Sequence, residues 1–153
     1  MDIFINYPLI AALTSILLAQ FIKVPLHFVK NRSWNFGLAF STGGMPSSHS
    51  AAVTSLSTAV GIYSGISSVP FAIAVLFSAI IMFDAAGVRR YAGEHAVILN
   101  RFIEEFQHLF QEQPGNQKIK VLKELLGHRP IEVIVGGILG IGISLVLYAI
   151  YYR

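Results

Sequence analysis

The sequence predicts an all-α integral membrane protein: a bundle of about four transmembrane helices with amphipathic helices at its interface. Three observations predict it. Hydrophobic residues make up 54% of the chain and charged residues only 12%, about half the charged share of a soluble domain. Mean hydropathy is +0.64. Residues 33–83 contain no Asp, Glu, Lys or Arg, and since about 20 apolar residues cross a bilayer core, that stretch has room for two crossings and a turn. At 153 residues the chain makes one transmembrane domain, 1–153.

Residues 3–22 are uncharged and mostly apolar, and predict a first crossing that ends at Lys23, with Pro8 near its start where proline is tolerated. Asp2 stands where a secretory leader has basic residues, so this segment is expected to be a crossing and not a removed leader. Residues 23–40 mix Lys23, His27, Lys30, Arg32 and Trp34, as an interfacial loop does. The second crossing, about 49–62, is short and rich in Ala, Ser and Thr, which predicts a helix packed inside the bundle. Residues 65–70 form a turn, and 71–83 a third crossing that ends at Asp84 to Arg90. From 95 to 110 apolar residues recur at three- and four-residue steps, and a shorter amphipathic piece covers 118–126 after a break at 113–116; both predict surface helices. The last crossing, 133–152, is glycine-rich and carries Tyr148, Tyr151 and Tyr152 at its far end.

These crossings bring the chain near Lys23, His49, Asp84 and His128 to one face of the membrane. Lys23, Lys30, Arg32, Arg89, Arg90, Arg101, Lys118, Lys120, Lys123 and Arg129 gather there, against Arg153 alone on the other. The positive-inside rule makes the rich face cytoplasmic and puts both termini opposite. The net charge of +3 lies beside membrane segments, where anionic headgroups and not nucleic acid are the expected partner. Cysteine is absent, which excludes disulfides and thiolate chemistry.

The stretch Gly43-Gly44-Met45-Pro46-Ser47-Ser48-His49-Ser50 opens the second crossing. A small-residue turn leading into a helix offers unpaired N–H groups and a positive dipole end to an anion. A capped helix whose histidine faces headgroups is the plain alternative. On the same face lie His128, Asp84 and Glu132 with several cations, and ionisable groups at such depth are costly unless functional. Cations plus a helix N-terminus bind phosphate, and two histidines with a carboxylate four residues after one of them can divide nucleophile and acid roles.

Four segments resemble the divergent branch of the type 2 phosphatidic acid phosphatase superfamily, which also contains the vanadium haloperoxidases. That branch reads Gln-x-x-Lys, Gly-Gly-Met-Pro-Ser-Ser-His-Ser, Asp-Ala-x-Gly-Val-Arg-Arg and Gly-His-x-Pro-x-Glu-Val, matched here in order at 20–23, 43–50, 84–90 and 127–133. The resemblance implies a membrane phosphatase acting on a lipid phosphate or diphosphate, with no metal or other cofactor. His128 would attack phosphorus, Glu132 would orient it, and His49 would protonate the leaving alkoxide. Lys23, Arg32, Ser47, Ser48, Arg89 and Arg90 would hold the phosphate, with Asp84 behind them. Against the parent pattern, Ser48 replaces glycine, Glu132 replaces aspartate, and Leu122 stands where an arginine precedes the nucleophile by six. Arg89 stands six before His95, but Leu99 and no carboxylate follows that histidine, so His128 ranks above it. The rival expectation is a non-catalytic membrane protein that keeps the fold and binds phospholipid headgroups; a vanadate haloperoxidase ranks behind both. Four short crossings enclose a site poorly, which predicts a homodimer.

Overall fold

The computed structural model describes residues 6–41, 43–109, 122 and 127–152. The expected helices 118–126 and the break at 113–116 lie outside the described residues, apart from Leu122. Five α-helices and one short 3-10 helix carry the described chain, with no strand among the described residues.

Helix α1 spans Tyr7–Asn31, eight residues beyond its expected end at Lys23. Asn6 caps it by accepting the Leu9 N–H at 3.1 Å. The helix continues because the first charge does not leave the bundle: Lys23 is buried and donates to the Ser41 carbonyl at 3.1 Å. The expected interfacial loop is therefore mostly helix, followed by a 3-10 turn at Phe36–Phe40. Trp34 stacks between Phe28 and Phe36 at 4.3 and 5.9 Å, an aromatic layer of the kind found at headgroup depth.

Helix α2, Ser48–Ser64, is capped by Ser47, whose hydroxyl accepts the Ser50 N–H. It packs against α1, α3 and α5, the interior place its small residues predict. Helix α3, Val69–Ala86, starts at a Ser68 cap with Pro70 in its first turn and ends at Gly87. The chain resumes at once as α4, Val88–Leu109, so Arg89 and Arg90 stand in the first turn of a helix that begins seven residues earlier than its apolar periodicity does. Helix α5, Pro130–Tyr151, starts with proline where a missing N–H costs nothing.

Three segments, in α1, α3 and α5, are long and apolar enough to cross a membrane. Helix α2 has 17 residues, about 25 Å of rise. Large apolar side chains such as Leu17, Phe21, Leu76, Phe77, Ile138 and Val146 are exposed around the bundle; in water they would form a sticky surface, whereas lipid solvates them. Inside, several polar groups pair: Ser57 and Ser78 hydroxyls lie 2.6 Å apart, Ser78 donates to the Val53 carbonyl, and the buried Tyr7 hydroxyl donates to the Ser144 carbonyl at 2.8 Å, whereas the Ser15 and Ser55 hydroxyls have no protein partner. Such pairing stands in for the water a bilayer lacks.

The α2–α5 contact sets the position of everything at the polar end. A Cβ on Gly136 would strike the Ser47 backbone, and one on Gly140 would strike the Ala51 carbonyl and the Thr54 hydroxyl. Thr54 donates to the Gly137 carbonyl at 2.9 Å, and the Ser47 N–H donates to the Glu132 carbonyl at 3.1 Å. The first turns of α2 and α5 are thus joined backbone to backbone.

Candidate active site

This junction places the two histidines together. His49 stands at the second position of α2 and His128 just before α5, with ring centroids 6.4 Å apart and planes at 60°. His128 is buried and its backbone N–H donates to the Ala85 carbonyl at 3.0 Å, which ties it to the end of α3. His49 is exposed.

Glu132 occupies the third position of α5. Its Oε2 meets His128 Nδ1 at 3.1 Å and accepts the Arg129 N–H at 3.2 Å. A carboxylate beside Nδ1 fixes the proton there and leaves Nε2 with its lone pair. That Nε2 is buried and has no protein hydrogen-bond partner. Buried polar atoms are rarely left so.

The serine turn also has a defined division of labour. The Ser47 N–H is taken by the Glu132 carbonyl and its hydroxyl accepts from Ser50. The N–H groups free of the helix ladder are therefore those of Ser48 and His49, the first two positions of α2. Ser48 is buried. Gly44 has φ +88°, a conformation that favours glycine.

Of the cations, Lys23 and Arg89 stand within electrostatic reach of His49, as do Asp84 and His128. Arg89 Nε donates to Asp84 Oδ2 at 2.6 Å, which fixes the guanidinium and leaves its terminal nitrogens to other acceptors. Arg90 turns to Glu94 at 3.0 Å. Gly127, at φ +84°, packs directly on the backbone of Arg89 and Arg90, so the third and fourth motifs meet through a glycine that no side chain could replace. Arg32 stands apart. It is the exposed, left-handed cap of α1, about 13 Å of helical rise beyond Lys23, and no hydrogen bond or ion pair joins its side chain to the histidines. His95, the rival nucleophile, lies seven residues into α4, with Leu99 and not a carboxylate four residues after it.

Sequence reasoning missed Asn100. Its amide is buried and grips the Leu122 backbone from both sides, donating to the carbonyl and accepting the N–H at 2.9 Å each. Leu122 stands six residues before His128, where the superfamily has its arginine. The clasp anchors that position to α4 through main chain, so no side-chain pattern announces it.

A family model described as the divergent PAP2 family matches residues 4–143. The chain is 48% identical over 153 residues to a Bacillus subtilis (strain 168) protein called uncharacterized membrane protein YuiD, covering 96% of this chain and 97% of the relative. No solved structure matches the chain.

Proposed function

The chain belongs to the divergent PAP2 family, and from that premise we propose that it is a membrane phosphatase which hydrolyses a lipid phosphate or diphosphate through a phosphohistidine. The observation that carries the proposal is the buried, unpartnered Nε2 of His128, on a ring that Glu132 holds through Nδ1 and whose centroid lies 6.4 Å from that of His49. A nucleophile must stand about 3 Å from phosphorus and an acid within hydrogen-bond reach of the leaving oxygen. One phosphoryl group between these rings meets both conditions.

In this reading His128 Nε2 attacks phosphorus and the bond to the lipid oxygen breaks. The leaving alkoxide takes a proton from His49. Water then attacks the phosphohistidine and returns a proton to His49; the P–N bond breaks and inorganic phosphate leaves. Lys23, Arg89 and the N–H groups of Ser48 and His49 neutralise the equatorial oxygens, the main demand of phosphoryl transfer. The working face is cytoplasmic, as the charge count favours, and the membrane is taken to be the cell membrane. The protein works as a single domain, residues 1–153, and a homodimer fits its few crossings.

The test is phosphate release from phosphatidate and from a polyprenyl diphosphate by detergent-purified protein. His49→Ala and His128→Ala are each expected to lower release at least 100-fold, with the folded protein still eluting as one species. Wild-type protein that releases nothing, or variants that match it, would overturn the proposal.

A further inference from the structure

Beside the histidines lies a cavity of about 590 Å³, between the last turns of α1, the 3-10 helix, the Gly44–Met45 turn and the start of α5. Lys23 and Glu132 form part of its lining and belong also to the histidine site. Lys23, His27 and Lys30 line it at steps of four and three residues, one stripe of the helix. Arg129 joins them from α5, and Leu26, Leu38, Met45 and Ile131 supply apolar surface. Glu132 is the one carboxylate of the lining, and its Oε2 is committed to His128 and the Arg129 N–H. An apolar hollow rimmed by Lys23, Lys30 and Arg129, with a single carboxylate already engaged, suits an anionic amphiphile.

The chemistry at His128 draws on only one member of this row, Lys23. Lys23 and Arg89 already stand within electrostatic range of His49, while Lys30 stands about 10 Å of helical rise beyond Lys23. The two phosphates of a diphosphate lie within one helical turn of each other, too close to use both ends of the stripe. We propose that the cavity holds the non-scissile part of the lipid headgroup, and that this part carries a second phosphate set apart from the scissile one by a spacer of glycerol size. The inference rests on the phosphatase reading for which phosphate is cleaved, and on the cavity alone for where the second one binds.

The experiment measures binding to His128→Ala protein in detergent by calorimetry, so that no turnover intervenes. The two probes are didecanoyl phosphatidate and a didecanoyl phosphatidylglycerol that carries a terminal phosphate. The second is expected to bind at least tenfold more tightly. Lys30→Gln with Arg129→Gln, both at exposed positions, is expected to bring the ratio near one while phosphatidate affinity holds within about twofold; Lys30→Gln alone should fall between. Equal affinity of the two lipids for the intact cavity overturns the proposal. So does an equal loss for both lipids in the double variant, the mark of general surface attraction. Phosphate release by wild type is measured alongside: selectivity without release sinks the phosphatase reading and spares the cavity, and release without selectivity does the reverse.

Discussion

Glu132 Oε2 holds His128 Nδ1 at 3.1 Å and the Arg129 N–H at 3.2 Å. One oxygen thus orients the proposed nucleophile and satisfies an orphan donor at the start of α5. The second task accounts for glutamate in place of the superfamily's aspartate. A residue at the third helical position must reach back to the N-cap, and glutamate has the length for it.

The two tasks separate by substitution. Glu132→Gln keeps an oxygen for the Arg129 N–H but loses the charge that holds the imidazole. It is expected to lower kcat about 100-fold or more and to leave the unfolding midpoint within about 2 °C. Glu132→Asp shortens the arm and is expected to cost about 1 kcal/mol of stability, the usual worth of a lost cap. Phosphate release and thermal unfolding of the two variants, measured side by side, check both halves. A glutamine variant as active as wild type would remove Glu132 from the chemistry.

Arg89 and Arg90 are expected to differ. Arg89, fixed by Asp84 and near His49, should behave as a phosphate ligand: Arg89→Ala raises KM roughly 10- to 100-fold, the worth of a charged hydrogen bond. Arg90→Ala, which loses an exposed pair with Glu94, should move KM less than about threefold. Steady-state kinetics on one lipid phosphate decide it, and equal effects would show that the Asp84 contact selects nothing.

The glycines of α5 divide by contact. Gly136→Ala and Gly140→Ala drive a methyl into the backbone of α2 and are each expected to destabilise by about 1–3 kcal/mol. Gly142 has open space where its Cβ would be, so Gly142→Ala should be neutral or slightly stabilising. Unfolding midpoints in one detergent rank the three, and a destabilised Gly142→Ala would contradict the packing described.

Much of this arrangement is legible in the sequence because its chemistry sits in local motifs. The turn before α2 and the His-x-x-x-Glu step before α5 each carry their caps and their functional groups within a few residues, so spacing alone places them at helix starts. The end of α1 was not legible. Lys23 looks like a helix terminus until the Ser41 carbonyl, eighteen residues away, is found accepting a hydrogen bond from its ammonium group. The Asn100–Leu122 clasp and the contact of Gly127 with the Arg89–Arg90 backbone were hidden for the same reason: one partner is main chain, which every residue type has. The glycine content of α5 was plain, but which glycines meet α2 depends on how the helix is turned, and hydrophobic periodicity fixes that poorly in a segment apolar all round.

The glycine seam between α2 and α5 bears on how such a protein could diversify. The proposed nucleophile and acid ride on two rods whose main chains touch, so their spacing is a property of the scaffold and not of the ligand. Most of the cavity wall belongs to α1 and the 3-10 helix, which take no part in the α2–α5 seam; the Gly44–Met45 turn and the start of α5 supply the rest. Residues there can change size and charge while the reacting pair keeps its distance, so relatives with unlike lipids are expected to differ along that wall and to agree along the seam.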